Sequence, residues 1–336
     1  LGASLGVPWT TDRAAALEDV RAVSVASPTS THGEVAGACL RSGRHVLVEK
    51  PLAATLEAGR DLVEAAAAGG AVLAVGHIER FNPAFRAARA SIGSPRFVES
   101  HRLSTFVPRS IDVDVVLDLM IHDIDLTLGL IRAPVEAIDA VGVPVLTAGE
   151  DIANARIRFA GGAVANLTAS RVSRERVRKI RFFGQHRYVS VDLLEKKVEQ
   201  VLLERFPEEP APTGASLSAG AGRAAAAVLA GAGQAVGPIP AGEGQPTAPA
   251  PAPPEVALAA YLRERRLRLR HDSVAVPDAN ALEEELKDFI GAVAGEPLAG
   301  SSGTEGLRSL TTALEIHRRV QESLSLLGLE DLPPAS

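Results

Sequence analysis

The first ninety residues alternate between short, strongly apolar runs and segments with the amphipathic spacing of helices. The apolar runs predict strands at residues 22–26, 45–48 and 71–75. The amphipathic segments predict helices at residues 32–42, 56–68 and 83–90. Such alternation is typical of a parallel sheet with crossover helices, so this part is expected to form half of a doubly wound α/β domain.

From residue 95 onward the pattern changes to longer strands in which polar and apolar residues alternate. Such strands are predicted at residues 96–106, 135–143, 152–159, 163–170, 177–183 and 188–192, with a further strand at 267–270. Helices are predicted at residues 280–293 and 304–326. Few helices interrupt the alternating strands, which indicates an α+β domain with an open, mainly antiparallel sheet.

One predicted helix, at residues 115–131, is apolar on almost every side, so its polar residues cannot all face water. Asp118 and His122 lie one turn apart on it. Taken alone they would be a helix-surface pair, but buried ionisable groups need partners or a function. Asp125 is expected near His122, and Asp123 is expected to point elsewhere. The helix is therefore expected to lie between two domains and to carry an acid–base pair.

Polar residues follow each of the three predicted parallel strands. The first strand leads into SPTSTH (Ser27 to His32), the second is HVLVEKP and delivers Lys50, and the third leads into GHIERFNP with His77, Arg80 and Asn82. Parallel strands end at the same edge of a sheet, and that edge is where such sheets bind ligands. Together with the helix pair, these residues indicate a proton-handling site suited to a hydroxyl group.

Each of these residues also has an ordinary structural explanation. Ser30 or Thr31 would cap a helix in any protein. A lysine such as Lys50 at a strand end is commonly a surface residue, and His77 is as easily a structural histidine. Arg80 is consistent with an inter-domain salt bridge or with a group that holds an anionic part of a substrate. A metal site is not expected, because no second histidine stands at ligand spacing from the helix residues.

Composition and charge narrow the class of protein. The chain has 336 residues, 46% hydrophobic and 23% charged, which is typical of a two-domain globular protein. A net charge of -6, a pI near 5.8 and 4% aromatic residues make nucleic acid an unexpected partner. Cys39 is the single cysteine, which excludes an intrachain disulfide and suits a reducing compartment, so the cytoplasm is expected. No apolar run is long enough for a membrane span.

Composition also suggests the domain boundaries. Residues 207–254 are dominated by Ala, Gly and Pro and are expected to form a mobile insertion, with a weak helix at 223–231. The predicted domains are 1–94, followed by 95–206 together with 255–330. The chain opens with Leu1 in what reads as the middle of a domain, so a truncated start is expected.

The combination of EKP after a strand, a proline–threonine turn ending in histidine before it, and D-x-x-x-H on a later helix resembles the Gfo/Idh/MocA family of dehydrogenases. The resemblance runs from about Gly6 to the C-terminus, apart from residues 207–254. It implies a Rossmann domain for NAD or NADP, here partial and N-terminally truncated, and an α+β domain whose sheet supports a dimer or tetramer. The finer pattern of GHIERFNP with DVVLDLMIHDIDL is similar to the branch that oxidises nucleotide sugars such as UDP-N-acetylglucosamine at its 3-position.

The resemblance assigns roles to residues of this chain. It implies Lys50, Asp118 and His122 as the catalytic set. The cofactor is expected to contact Ser27, Pro28, Thr29, His32, Glu49, Lys50, Pro51 and His77. The substrate is expected to contact Arg80, Asn82 and Asp125. The family's G-x-G-x-x-G turn is absent from this sequence and is expected upstream of Leu1.

The implied reaction removes a hydride from a sugar carbinol. Lys50 and His122 are expected to hold the hydroxyl group, His122 takes its proton, and Asp118 orients the imidazole. Lys50 is alternatively expected to stabilise the alkoxide by its charge. Two rival functions remain: a redox-neutral NAD-dependent sugar hydrolase or epimerase, and a non-catalytic ligand-binding remnant of the fold.

Overall fold

The computed structural model describes residues 2–107, 114–147, 149–206 and 254–328. Within these residues there are two β-sheets, and helices pack against both of them. The helices are α1 (Gly2–Leu5), α2 (Arg13–Leu17), α3 (His32–Arg41), α4 (Leu56–Gly69), α5 (Pro83–Ile92), α6 (Ile121–Leu130), α7 (Pro254–Glu264), α8 (Ala281–Val293) and α9 (Gly303–Leu327). Short 3₁₀ turns cover Thr29–Thr31 and Ile78–Phe81. A π-helical turn, Val116–Met120, precedes α6.

The first sheet has four strands in the order β1 (Ala22–Val25), β2 (His45–Glu49), β3 (Leu73–Gly76) and β12 (Ser301–Ser302). The first three strands are parallel, and β12 runs antiparallel to β3. Val46 and Val48 face α3 and α4, whereas Leu47 packs with Phe289 of α8 on the other face. Helices therefore cover both faces of this sheet, which is why β2 is a continuous apolar run.

The second sheet has eight strands and is antiparallel except between β4 and β7. Its order is β11 (Leu267–Val274), β10 (Lys197–Arg205), β9 (Arg187–Asp192), β8 (Val177–Gly184), β4 (Phe97–Leu103), β7 (Val164–Ser170), β6 (Ile152–Phe159) and β5 (Val135–Val143). Burial alternates along β4, β6 and β7, as expected when one face is covered and the other is not. Helices α5, α6 and α9 cover the buried face.

Helix α9 joins the two halves because its apolar face packs against both cores. Leu310 belongs to the core under the first sheet, and Ile316 and Val320 belong to the core under the second. A capping box formed by Ser302 and Glu305 starts this helix directly after β12. The end of β12 thus fixes the position of α9 over both sheets.

Most predicted elements are present with ends shifted by a few residues. The strand β10 was not predicted from the sequence, and the strand expected to reach residue 106 ends at Leu103. Helix α8 and strand β12 pack with the first sheet, although the sequence assigned residues 255–330 as a whole to the second domain. The predicted helix at residues 223–231 and nearly all of the predicted insertion lie outside the described residues. None of the described helices is long and apolar enough to cross a membrane.

Candidate active site

A cavity of about 470 Å³ opens where the carboxyl end of β2 meets the π-helical turn before α6. Its lining residues are Lys50, Ser104, Thr105, Val107, Asp118, Leu119, His122, Arg171, Arg176 and Arg178. The strand–loop–helix path that the sequence predicted therefore brings Lys50, Asp118 and His122 into one cavity. A larger groove, of about 650 Å³, runs along the start of α8; it contains Asn82 but none of those three residues.

Lys50 is held at the mouth of the cavity by the π-helical turn. Its Nζ donates to the backbone oxygen of Asp118 at 2.7 Å and lies 3.3 Å from the Asp118 carboxylate. The following peptide bond to Pro51 is cis. Because a fifth of the Lys50 side chain stays exposed, the ammonium group is both fixed in position and accessible from the cavity.

His122 forms part of the cavity wall. Its Nδ1 is buried and has no hydrogen-bond partner among the described residues, and the Asp118 carboxylate is paired with Lys50. The structure thus gives Asp118 a contact with Lys50, and a role of Asp118 toward the imidazole stays a prediction. A π-helical turn at residues 116–120 replaces the α-helical spacing that the prediction assumed.

Electrostatics around His122 disfavour its protonated form. Burial is the largest cause, and the nearby charges of Arg102 and Lys50 add to it, so the pKa of His122 lies well below its ordinary value. A neutral imidazole is the form that accepts a proton. His122 is therefore in the state that a general base requires, but without a partner for the charge that it would gain.

The loops after β1 and β2 are tied together by one histidine. The His32 ring contacts the Ser27 carbonyl oxygen at 3.0 Å through Nε2 and the Pro51 carbonyl oxygen at 2.9 Å through Nδ1. The Ser27 and Thr31 hydroxyl groups also bond to each other at 2.7 Å. His32 is buried, so its role in the structure is to hold these two strand ends in register next to Lys50.

The polar groups at this edge fit one part of a nicotinamide nucleotide. Ser27 and Thr29 are half-buried and Pro28 is exposed, so hydroxyl and backbone groups stand open beside Lys50. Such groups suit the ribose and carboxamide of a nicotinamide nucleotide. The sequence has no G-x-G-x-x-G turn for the cofactor's diphosphate, so the described residues account for the nicotinamide side only.

Of the remaining residues in the predicted cofactor set, His77 is buried and Glu49 is half-buried. Both ring nitrogens of His77 are buried without a hydrogen-bond partner, and Nε2 lies 3.8 Å from the Asp125 carboxylate. Burial is the main cause that lowers the pKa of His77. Glu49 packs against Gly76, where an added Cβ would come within 3.0 Å of its carboxylate. Neither residue is among those that line the cavity.

The three residues predicted to bind substrate make internal contacts in the structure. Arg80 forms a two-point ion pair with Asp125, at 2.6 and 2.9 Å, and also bonds to Glu305 of α9. Asn82 caps α5 through the Ala84 backbone and donates to Glu79. Of the two explanations that the sequence allowed for Arg80, these contacts match the salt bridge. Asp125 is buried, and its carboxylate is engaged by Arg80.

Asp125 stays ionised in spite of its burial. Burial opposes its charge, but nearby His77 and the charge and hydrogen bonds of Arg80 outweigh it, so the pKa of Asp125 is lowered. Ser309 of α9 donates a further hydrogen bond to the same carboxylate at 3.1 Å. These contacts bind the end of β3 to α6 and α9, so Asp125 positions the elements that carry the cavity.

Sequence reasoning missed the arginines of the second sheet. Arg102 on β4 is buried and forms a two-point ion pair with Asp123, at 2.7 and 3.1 Å, and a bond to Glu79 at 2.9 Å. Asp123 is thus engaged by Arg102. Arg176 and Arg178, at the start of β8, line the cavity. The density of arginine in SRVSRERVRK was the available signal, but strand alternation alone does not show which side these residues face.

A second cluster of ionisable groups lies at the start of the π-helical turn. Asp114, Glu150 and His317 bring three ligand-type atoms within 4.8 Å of one another, the one such group among the residues that the structure describes. His317 Nδ1 lies 3.1 Å from Glu150 and 3.7 Å from Asp114, which are distances of a hydrogen bond and an ion pair. Asp114 also accepts from the Leu117 backbone at 2.8 Å, so this cluster anchors the start of the turn.

A parallel sheet that offers polar strand ends to a cavity shared with an antiparallel sheet is an arrangement in which α/β proteins bind nucleotides. Residues 1–77 match the NAD-binding Rossmann fold of the Gfo/Idh/MocA oxidoreductase family, and residues 60–190 match the C-terminal domain of that family. The chain belongs to the Gfo/Idh/MocA family.

Two relatives illustrate the similarity. The UDP-N-acetylglucosamine 3-dehydrogenase of Acidithiobacillus ferrooxidans is 48% identical over 54% of this chain and 58% of its own length. Its solved structure aligns with a TM-score of 0.74 and 33% identity over 96% of this chain and 86% of that one. The scyllo-inositol 2-dehydrogenase (NAD(+)) of Bacillus subtilis is 29% identical over 49% of this chain and 53% of its length. By sequence, the chain thus matches little more than half of these curated relatives.

Proposed function

We propose that the protein is an NAD(P)-dependent dehydrogenase that oxidises a hydroxyl group of a nucleotide sugar, such as the 3-hydroxyl of UDP-N-acetylglucosamine. The observation that carries this proposal is the convergence of Lys50, Asp118 and His122 on one cavity beside the carboxyl ends of the parallel strands. The similarity to a UDP-N-acetylglucosamine 3-dehydrogenase supports the choice of a nucleotide sugar over a free polyol.

The residues of the cavity have separate roles: one accepts the proton of the substrate hydroxyl, and another stabilises the oxygen that is left. Lys50, fixed by the Asp118 backbone and carboxylate, donates a hydrogen bond to the substrate hydroxyl and stabilises the oxygen as its proton leaves. His122, neutral before the reaction, accepts that proton. The carbinol hydrogen leaves with its electron pair, and bound NAD or NADP supplies the acceptor for this hydride. Asp118 is a positioning residue for Lys50 in this scheme.

The cofactor's nicotinamide side is proposed to contact Ser27, Pro28, Thr29 and the backbone around Lys50 and Pro51. His32 holds these two loops together, so we propose that it acts on the cofactor through the loops and not by direct contact. His77 and Glu49 are proposed to support the same edge from beneath.

The test is formation of NADH from a panel of UDP-sugars, with free sugars and polyols in parallel. Replacing the base, His122→Gln, should lower turnover by roughly two to four decades, because proton transfer then relies on water. The matched control is His271→Gln, which changes an exposed histidine on β11 and should leave turnover unchanged. Full turnover by a folded His122→Gln variant would refute the assignment of the base.

A homo-oligomer remains a proposal that rests on the family. The exposed face of the second sheet carries apolar residues such as Val141 and Val143 on β5, and an open sheet face of this kind is a common contact between identical subunits. Sedimentation of the protein at several concentrations tests this, with a dimer or tetramer expected. We also propose a cytoplasmic location, for which the single buried cysteine is the support.

A further inference from the structure

The charge of the cavity is strongly unbalanced. Apart from Arg171, which has interactions of its own, the described lining residues include the cations Lys50, Arg176 and Arg178 and one carboxylate, Asp118. Lys50 and Asp118 pair with each other, so the excess positive charge is carried by Arg176 and Arg178. A concentration of guanidinium groups in a concave site is typical of phosphate recognition, because their donors match phosphate oxygens in pairs.

The nearest carboxylate does not neutralise these arginines. Glu79 is bonded at 2.9 Å by the buried Arg102, and Arg178 reaches the same oxygen only at 3.5 Å. Burial is the largest cause that lowers the pKa of Arg178; Arg102 and Arg176 add to it, and Glu79 and Asp123 oppose it. Arg178 thus shares Glu79 with Arg102, and an anion entering the cavity supplies a further partner for its guanidinium group.

The same imbalance acts on His122. Each carboxylate of its own helix is already engaged: Asp118 with Lys50, Asp123 with Arg102 and Asp125 with Arg80. His122 Nδ1 is buried without a partner, so the described structure provides no negative group that would stabilise the imidazolium ion. Yet the proposed reaction places a proton on this ring in every turnover.

We propose that a phosphate group of the substrate binds against Arg176 and Arg178 and provides the negative charge that protonated His122 lacks. The proposal rests on the proposed function and names its substrate class: a sugar that carries a diphosphate. The charged part of the substrate then does more than hold the sugar. It makes proton acceptance by His122 more favourable, so a neutral sugar that fits the cavity lacks this assistance.

Calorimetric titration of the protein with UDP tests this directly, in two buffers that differ in ionisation enthalpy. The difference between the buffers measures the protons taken up on binding. We expect UDP to bind with more proton uptake in the wild type than in His122→Gln, which should still bind UDP. The comparison of these two proteins removes the contribution of the phosphate's own titration. Uridine, which lacks the phosphates, is expected to bind more weakly and without proton uptake.

The proposed contact between the phosphate and the two arginines is tested by Arg176→Gln and Arg178→Gln. Each should weaken UDP binding roughly tenfold to a hundredfold, the range for a lost hydrogen bond to a charged group. The matched control is Arg174→Gln, which removes the same charge from the same segment at an exposed position outside the cavity lining. It should leave UDP binding almost unchanged, and the unfolding temperature of each variant shows that it is folded.

The outcomes separate the two proposals. If UDP does not bind, if it binds as tightly to both arginine variants as to the wild type, or if proton uptake is the same in His122→Gln, the phosphate site is refuted. That result stands even if UDP-sugars yield NADH. If instead UDP binds with His122-dependent proton uptake but no UDP-sugar yields NADH, the phosphate site is supported and the proposed dehydrogenase function is refuted.

Discussion

The helical segment from residue 116 to 130 separates two regions that use the same kinds of side chain in opposite ways. On one side lies a closed network of Glu79, Arg80, Arg102, Asp123 and Asp125, in which each charge has an oppositely charged partner within 3.0 Å. On the other side lies the cationic pocket, the 470 Å³ cavity with Lys50, His122 and the arginines of the second sheet. Among the described residues, the charges of the first region pair with one another, and the cations that line the second outnumber its carboxylates.

This difference distinguishes charged groups that stabilise the fold from charged groups that bind a ligand. A buried ion whose partners are all internal contributes to folding, because removal of one partner leaves the other uncompensated. A cationic pocket without enough carboxylates adds repulsion to the folded state, and a ligand of opposite charge relieves it. We therefore expect substitutions in the closed network to reduce stability, and substitutions in the cationic pocket to reduce binding and turnover.

The largest effect on stability is expected from Arg102→Met. This change leaves Asp123 and Glu79 buried without their partner, and breaking such a pair costs about 3 to 5 kcal/mol of unfolding free energy. Arg176→Met, which removes an exposed arginine of the cationic pocket, should alter stability by less than about 0.5 kcal/mol. Urea unfolding of both variants measures the contrast. Equal losses in the two would show that the regions do not differ in the way proposed.

A second prediction concerns a buried carboxyl group that has neither a partner nor a place in the pocket. Glu285 on α8 is 3% exposed, and its Oε1 has no hydrogen-bond partner among the described residues. Burial raises its pKa to about 7, with the charges of Glu49 and Asp288 adding to the effect. Because nothing compensates a negative charge at this buried position, we expect the Glu285 carboxyl group to favour its protonated, neutral form.

The sign of the pH effect follows from this raised pKa. Below the unfolded value of about 4.5 both states are protonated; between 4.5 and 7 the unfolded chain ionises first, so the folded state loses stability as the pH rises. Glu285→Gln removes this loss and should be more stable than the wild type at pH 8 by at most about 3 kcal/mol, and nearly equal at pH 4. Unfolding at both pH values measures it. A neighbouring exposed residue, in Glu283→Gln, should show no such pH-dependent gain.

The sequence predicted which residues meet in the cavity, but it did not predict the partners of the buried charges, and the reason is physical. The strand ends and the helix pair placed Lys50, Asp118 and His122 in one cavity because parallel strands share an edge. The partners of Asp123 and Asp125 were not predictable, because Arg102 lies on a distant strand and α9 supplies Ser309 from the far end of the chain. The π-helical turn also escaped prediction, because this segment is apolar on almost every side and so has no apolar stripe that an inserted residue would visibly shift.

The smallest predicted effect lies at the start of the π-helical turn, in the cluster of Asp114, Glu150 and His317. A hydrogen bond to Glu150 is the main cause that raises the pKa of His317, and the charges of Asp114 and Glu150 add to it. A histidine with a raised pKa stabilises the fold fully below its unfolded value, near 6.5, and this contribution is lost as the pH rises through the folded value.

The wild type should therefore exceed His317→Gln in unfolding free energy at pH 5.5, by less than about 1 kcal/mol because a third of the side chain is exposed, and the two should converge at pH 8.5. Gln321, on the same helix, bonds to the other oxygen of Glu150 and does not titrate, so Gln321→Ala is the control and should show a difference that does not change with pH. Because Asp114 also caps the turn that carries Asp118, an advantage at low pH would show that the start of this turn depends on the protonated histidine. An advantage that stays constant from pH 5.5 to 8.5 would instead mean that His317 contributes by packing alone.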